Sequence, residues 1–189
     1  MDIHHLWKFL YWAWIASEIG VLLVTRTRRG TGTVRDRGSL LILWPTIFFS
    51  ICAAFWIGES RPPTIFPGER WVPIASLAFL AFGLAIRWIA ILTLGRSFSA
   101  NVAIHAAQTV HKTGLFRFVR HPSYSGMLLI FVAIGLATRN WLSFAIVIVL
   151  PMAALLYRIH VEEAALAEAF GTDYTDYSKT TKRLIPGIY

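Results

Sequence analysis

Five long apolar runs, broken by short polar loops, constrain this chain more than any other feature. They cover residues 6–24, 39–57, 73–94, 122–138 and 141–157. Crossing about 30 Å of hydrocarbon takes roughly 20 helical residues, which the first three runs supply. The fourth and fifth hold 17 residues each and are separated only by Arg139 and Asn140, so they read as a tight helical hairpin. Pro151 is placed to kink its second arm. The runs are too long and too uniformly apolar for barrel strands, and a backbone in lipid must satisfy its own hydrogen bonds. Composition agrees, since 56% of the residues are hydrophobic and only 15% are charged; soluble domains carry about a quarter. The expected fold class is all-α, an integral membrane helical bundle of about five transmembrane helices with a cytoplasmic C-terminal helix and tail. Residues 1–189 read as a single membrane domain, with a two-helix part over 1–72 and a core over 73–189.

Charge placement sharpens this. Eighteen Lys and Arg face ten Asp and Glu, a net charge of +8. Such a surplus would suit nucleic acid, but the basic residues lie between the apolar runs, as membrane topology requires. No nucleic-acid partner is expected. The first loop carries Arg26, Arg28, Arg29, Arg35 and Arg37; the third carries Arg96, Lys112, Arg117 and Arg120; the tail carries Arg158, Lys179, Lys182 and Arg183. Positive-inside logic puts these three pieces in the cytoplasm and the N-terminus outside. Loop three and the tail are the long polar segments, and a site is expected where they meet. The first apolar run lacks a basic lead and a cleavage pattern, so it reads as retained. The single Cys52 excludes an internal disulfide and a Cys-rich metal site. The histidines show no metal spacing, His105 and His111 being six apart and His4 and His5 adjacent, so no metal is expected. Gly30-Thr31-Gly32 is not a dinucleotide fingerprint, because Arg35 stands where the third glycine belongs.

Three groups of residues can carry chemistry. The first is "FRFVRHPSYSG", 116–126. Pro122 suits the first position of a helix, where its missing N–H is no loss. The next N–H groups would be unpaired and form an anion-friendly end, with Arg120 and His121 before it and Tyr124 one turn inside. Taken alone, Arg, His and Tyr there read as an interfacial anchor. The second group is Glu18 and Arg87, each about 12–14 Å below the basic loops at 1.5 Å per residue. A charge at that depth faces a cavity or a partner, and we expect these two near each other in the bundle interior. The third is "YRIHVEEAALAEAFG", 157–171, which continues the fifth run out of the membrane as a helix; Arg158 and Glu162 share one of its faces and Glu163 is turned by about 100°. Phe170-Gly171 reads as a helix end, and the tail with Tyr174, Tyr177, Lys182 and Arg183 as a surface-lying amphipathic segment.

Together the strings "LGRSFSANVAIHAAQTVHKTGLFRFVRHPSYSG" and "EEAALAEAFGTDYTDYSKTTKRLIP", with an apolar hairpin between them, resemble the isoprenylcysteine carboxyl methyltransferase family. The resemblance covers roughly 83–186. It implies a membrane methyltransferase that uses S-adenosylmethionine without a Rossmann domain, residues 73–189 being its core. It assigns cofactor binding to His111, Gly114, Arg120, His121, Pro122, Tyr124, Glu162 and Glu163. It assigns the acceptor carboxylate to Arg87 and Arg158, Arg87 being matched mostly by its distance from the Arg-His-Pro motif. The implied acceptor is a lipophilic small molecule or prenylcysteine-like acid drawn from the membrane lipid. The chemistry is consistent with these residues. A carboxylate, with an ordinary pKa near 4, is already the nucleophile at neutral pH. What it needs is alignment and partial desolvation for an in-line displacement, and no general base. Either acidic residue would suit the cofactor's amine or diol, and Tyr124 could offer its ring or hydroxyl near the sulfonium. Three other readings compete: an amine or phospholipid N-methyltransferase with Glu18 or an acidic-pair residue as base, a sterol-type NADPH-dependent membrane reductase, and a non-enzymatic membrane protein.

Overall fold

The computed structural model describes residues 2–25, 33–34, 38–65, 69–98, 103–104 and 109–189. Arg26, Arg28, Arg29, Arg35, Arg37, the Gly30–Gly32 stretch and His105 lie outside them. Each apolar run is a helix. These are α1 (Ile3–Thr25), α2 (Ser39–Ser60), α3 (Trp71–Leu94), α4 (Pro122–Thr138) and α5 (Trp141–Phe170), followed by the short polar α6 (Thr172–Thr180). Four of the apolar helices are long enough to cross a membrane, and α4 is shorter at 17 residues, about 26 Å. The helix of the fifth run extends past Tyr157 through the polar 157–171 stretch, as that stretch predicts. It continues unbroken through Pro151 and for 30 residues in all, carrying Arg158, Glu162 and Glu163 beyond the apolar portion. Apart from helix there is a two-residue antiparallel pair, β1 (Thr33–Val34) with β2 (Ala103–Ile104), which joins loop one to loop three.

The hairpin between α4 and α5 turns on Arg139, whose backbone is left-handed at φ 54°. Asn140 then caps α5, its side chain accepting from the N–H groups of Leu142 and Ser143 at 3.0 and 3.3 Å, so two otherwise orphan donors are satisfied. The closest neighbours in the bundle are α3 with α4 and α2 with α5, while α1 leans on α3. Between α3 and α4 the backbones nearly touch at paired glycines. A Cβ on Gly126 would lie 2.6 Å from the Gly83 carbonyl oxygen, and one on Gly83 would lie 2.7 Å from that of Gly126. In lipid, where apolar burial drives helices together little, such close van der Waals approach is what holds them. Polar links add to it: Trp7 donates to Ser76 at 2.9 Å, and Ser76 to the Ala133 carbonyl at 2.7 Å.

The interior draws from all five apolar helices, with Trp14, Leu43, Ile47, Leu80, Phe131 and Leu155 among its members. The outer face is apolar too: Trp12, Leu23, Leu41, Trp56, Leu92 and Val149 are all exposed. Large hydrophobic side chains on the outside of a helical bundle are what lipid solvates, so the protein is an integral membrane protein.

Candidate active site

The site is built at the end of the bundle where α4 begins. Pro122 is the first residue of α4, as its chemistry predicts, and His121 precedes it. The expectation of free N–H groups there is corrected. Those of Tyr124 and Ser125 both bond back to the His121 carbonyl, at 3.0 and 3.1 Å. The stretch before the helix is held by the C-terminal tail. Arg120 and His121 donate backbone N–H groups to the carbonyls of Lys182 and Arg183 at 2.7 and 3.0 Å, and Ser125 Oγ donates to Leu184 at 2.6 Å. Tyr177 of α6 donates to the Phe116 carbonyl at 2.5 Å. Lys112 and Asp173 form a further ion pair. The tail is therefore docked on loop three, rather than lying free on the surface as its amphipathic pattern predicts.

Two charge clusters result. The first centres on Glu163. It accepts from Arg120 Nε at 2.9 Å and from Arg183 Nε at 3.0 Å, and His121 Nε2 lies 3.2 Å away. Arg120 also donates to the carbonyls of Ser178 and Thr181. The hydrogen bond to Glu163 pushes Arg183 above its ordinary pKa, so the guanidinium of Arg183 stays charged. Motif, α5 and tail are thus tied through one carboxylate.

The second cluster lies deeper. Glu18 of α1 and Arg87 of α3 form a two-point ion pair, through Arg87 Nε and Nη2, at 3% and 5% exposure. The expected proximity is observed. Trp14 Nε1 donates to Glu18 at 3.1 Å, and Arg87 Nη1 donates to Ser123 Oγ at 2.8 Å. Beside it runs a relay: Arg158 Nε donates to the Tyr124 hydroxyl at 2.8 Å, which donates to Glu162 at 2.7 Å. Arg158 Nη1 donates to Ser39 Oγ of α2 at 2.8 Å. The Tyr124 hydroxyl is thereby committed, and its ring stacks on His121 at a centroid distance of 5.6 Å, so only the ring remains for a cation.

A cleft of about 1170 Å³, counting its open mouth, runs between these clusters. Its loop-side wall carries His111, Arg120, His121, Pro122, Tyr124 and Glu162; Arg87, Arg158 and Glu18 line it as well, with Leu22, Leu40, Leu43 and Trp44 forming an apolar wall. Of the residues that the resemblance assigns to cofactor and acceptor, Gly114 and Glu163 are not on the lining. Gly114 opens a 3-10 turn at φ 60°, a conformation that suits glycine, and Glu163 is turned to the tail. Sequence reasoning missed Ser123, Ser39 and Trp44 as site residues, and it gave Tyr174 to a surface-lying tail rather than to the cleft. The first two are visible only once Arg87 and Arg158 have partners. Trp44 lies in an apolar run where aromatics carry no special signal, and Tyr174 reaches the cleft only because the tail docks on loop three.

The lining fits S-adenosylmethionine. Among the described residues the buried Tyr174 hydroxyl and Trp44 Nε1 lack any hydrogen-bond partner, and both residues wall the cleft. Burial first, then the Glu163 carboxylate, push the Tyr174 hydroxyl above its ordinary pKa against the pull of Arg120, leaving it a donor. A ligand with a carboxylate and a diol meets donors here, and Glu162 offers a carboxylate to an amine. Among the described residues no group of His, Cys, Asp or Glu is arranged to hold a metal.

The fold and cleft define a class: a polytopic helical membrane protein whose site joins a polar loop-side end to buried arginines at lipid depth. Residues 76–168 match the isoprenylcysteine carboxyl methyltransferase family, and through them the chain belongs to it. It is 33% identical over 131 residues to protein-S-isoprenylcysteine O-methyltransferase A of Arabidopsis thaliana, covering 66% of each chain. It is 27% identical over 138 residues to protein-S-isoprenylcysteine O-methyltransferase of Xenopus laevis, covering 70% of this chain and 48% of that one. A solved structure, the eukaryotic intramembrane Ras methyltransferase ICMT, superposes with a TM-score of 0.62 at 25% identity, over 77% of this chain and 52% of that one. The chain thus spans between about half and two thirds of these relatives.

Proposed function

We propose that this protein is an S-adenosylmethionine-dependent carboxyl O-methyltransferase acting on a lipophilic, isoprenylcysteine-like acid, with its site on the cytoplasmic side of the membrane. The observation that carries the reading is the cleft itself. One end is lined by the motif residues, and buried Arg87 and Arg158 stand beside an apolar wall. When bound, S-adenosylmethionine supplies a methyl on a sulfonium, whose sulfur keeps the C–S electron pair as an acceptor oxygen bonds to carbon. His111, Tyr174 and Glu162 would hold the cofactor's polar groups, and the Tyr124 ring, stacked on His121, would offer its face to a cation. Arg158, held at two nitrogens by Tyr124 and Ser39, orients the acceptor carboxylate with Arg87. The apolar wall receives the lipid chain and strips water from the carboxylate.

No residue need remove a proton. Of the bases that an amine acceptor could use, Glu18 has both oxygens taken by Arg87 and Glu163 is turned to the tail, which supports the carboxylate reading. Turnover is expected to be level from pH 7 to 9, and a steep rise there would favour an amine. Thermal stability tests the cofactor: S-adenosylmethionine should raise the melting temperature and NADPH should not. Stabilisation by NADPH alone would reject the proposal.

A further inference from the structure

The deep ion pair raises a question that carboxylate methylation makes acute. Arg87 is one of two buried arginines on the cleft, yet its strongest contacts are to the chain's own Glu18. An arginine has five N–H donors. Glu18 takes the one on Nε and one of the two on Nη2, and Ser123 takes those on Nη1 through its hydroxyl and, at 3.4 Å, its carbonyl, which leaves one N–H on Nη2. Little of Arg87 is left to grip an acceptor. Glu18 is itself fixed, by Trp14 four residues earlier on the same helix, and is buried to 3% exposure, so the pair is built in rather than incidental. Glu18 also lies on α1, outside the residues that match the family.

We infer that Glu18 is a positioning residue that neutralises Arg87 so that the acceptor carboxylate is aligned without being held too tightly to react. A carboxylate saturated by two unneutralised guanidiniums in a low-dielectric cleft is strongly stabilised in the ground state. As its oxygen bonds to the methyl carbon, the anionic charge disappears and those contacts weaken. Binding energy spent on the charged ground state lowers KM and slows the chemical step. With Glu18 in place the arginine pair carries one net positive charge instead of two. Arg158 supplies that charge, and Arg87 presents its remaining N–H in an orientation locked by Glu18 and Ser123. The inference rests on the proposed carboxylate acceptor.

The test is steady-state kinetics on the full chain in detergent or lipid, with N-acetyl-S-farnesylcysteine as acceptor. Glu18→Gln keeps the size and an accepting oxygen but removes the charge. Both KM for the acceptor and kcat should fall, KM at least threefold and kcat tenfold or more, while KM for S-adenosylmethionine stays put. Glu18→Asp should restore the wild-type KM, because it restores the charge. A purely structural role would lower kcat and melting temperature in both variants and leave acceptor KM unchanged or raised, and that result overturns the inference. Should the Gln variant not fold, the wild type alone decides. Its affinity for the acid should exceed that for the neutral methyl ester by no more than about a hundredfold, the range of one charged contact. A larger ratio means two unneutralised arginines and overturns the inference. If the wild type neither binds nor methylates the acid, the functional reading fails and the inference with it. If it methylates the acid and the Gln variant shows no fall in KM, only the inference fails.

Discussion

The two charge clusters of this protein are made of the same residue types and work in different ways. The Glu18–Arg87 pair lies between α1 and α3 at membrane depth, one carboxylate against one guanidinium, with side chains 4% and 5% exposed. Glu163 lies in the polar extension of α5 and is shared among Arg120, His121 and Arg183, the last 38% exposed. A buried two-member pair leaves a bare charge when either member is lost, whereas the Glu163 carboxylate is shared among several partners, one of which, Arg183, is open to solvent. The first cluster is therefore fit to set the charge of a reaction site, and the second to fasten loop three, α5 and the tail around it.

The comparison breaks most readily at the deep pair. Arg87→Ala should abolish methyl transfer and cost about 3–5 kcal/mol of stability, because Glu18 is left buried and uncompensated. Cofactor binding, followed by S-adenosylmethionine-induced thermal shift, should survive in whatever fraction folds. Replacing both partners by apolar residues, Glu18→Leu with Arg87→Met, should recover most of the stability and none of the activity. Equal loss of cofactor binding would contradict the division of the cleft. Next comes the contact that sets Arg87 over Ser123. Gly126→Ala would press a methyl against the Gly83 carbonyl and the Arg87 backbone, costing about 1–3 kcal/mol, visible as a lower melting temperature. Glu163→Gln should cost less, about 1–2 kcal/mol, since a neutral amide still bridges the tail; limited proteolysis should show the tail released before the bundle unfolds. Smallest is Lys179→Ala. Its i,i+3 partner Asp176 is exposed, and neither melting temperature nor turnover should change.

Legibility in the sequence followed the same division. All five apolar helices could be read, because lipid demands long apolar runs and little else imitates them. The depth of Glu18 and Arg87 could be counted from the basic loops, and their pairing followed from the cost of a lone charge there. The extent of α5 could be read as well: hydropathy marks where lipid ends, but 157–171 keeps helical spacing up to Phe170-Gly171, where the helix stops. Between Glu162 and Glu163 the sequence offered no choice. One helical step of about 100° sends Glu162 to the cleft and Glu163 to the tail, and only the docking of residues 172–185 decides which is which. That docking runs through backbone bonds such as Arg120 to Lys182, which are written in no side-chain pattern. Trp44 was invisible for a related reason: in an apolar run an indole looks like any other lipid-facing ring, until its N–H is found buried without a partner.

The central claim is that the arginines at lipid depth present a carboxylate for methylation. Incubating the protein with methyl-labelled S-adenosylmethionine and a prenylcysteine acid tests it most directly. The account predicts label on the acceptor that is released as methanol by mild base, and its loss in Arg158→Ala. Base-stable label, which would mark transfer to nitrogen or sulfur, or undiminished ester formation by that variant, would contradict it.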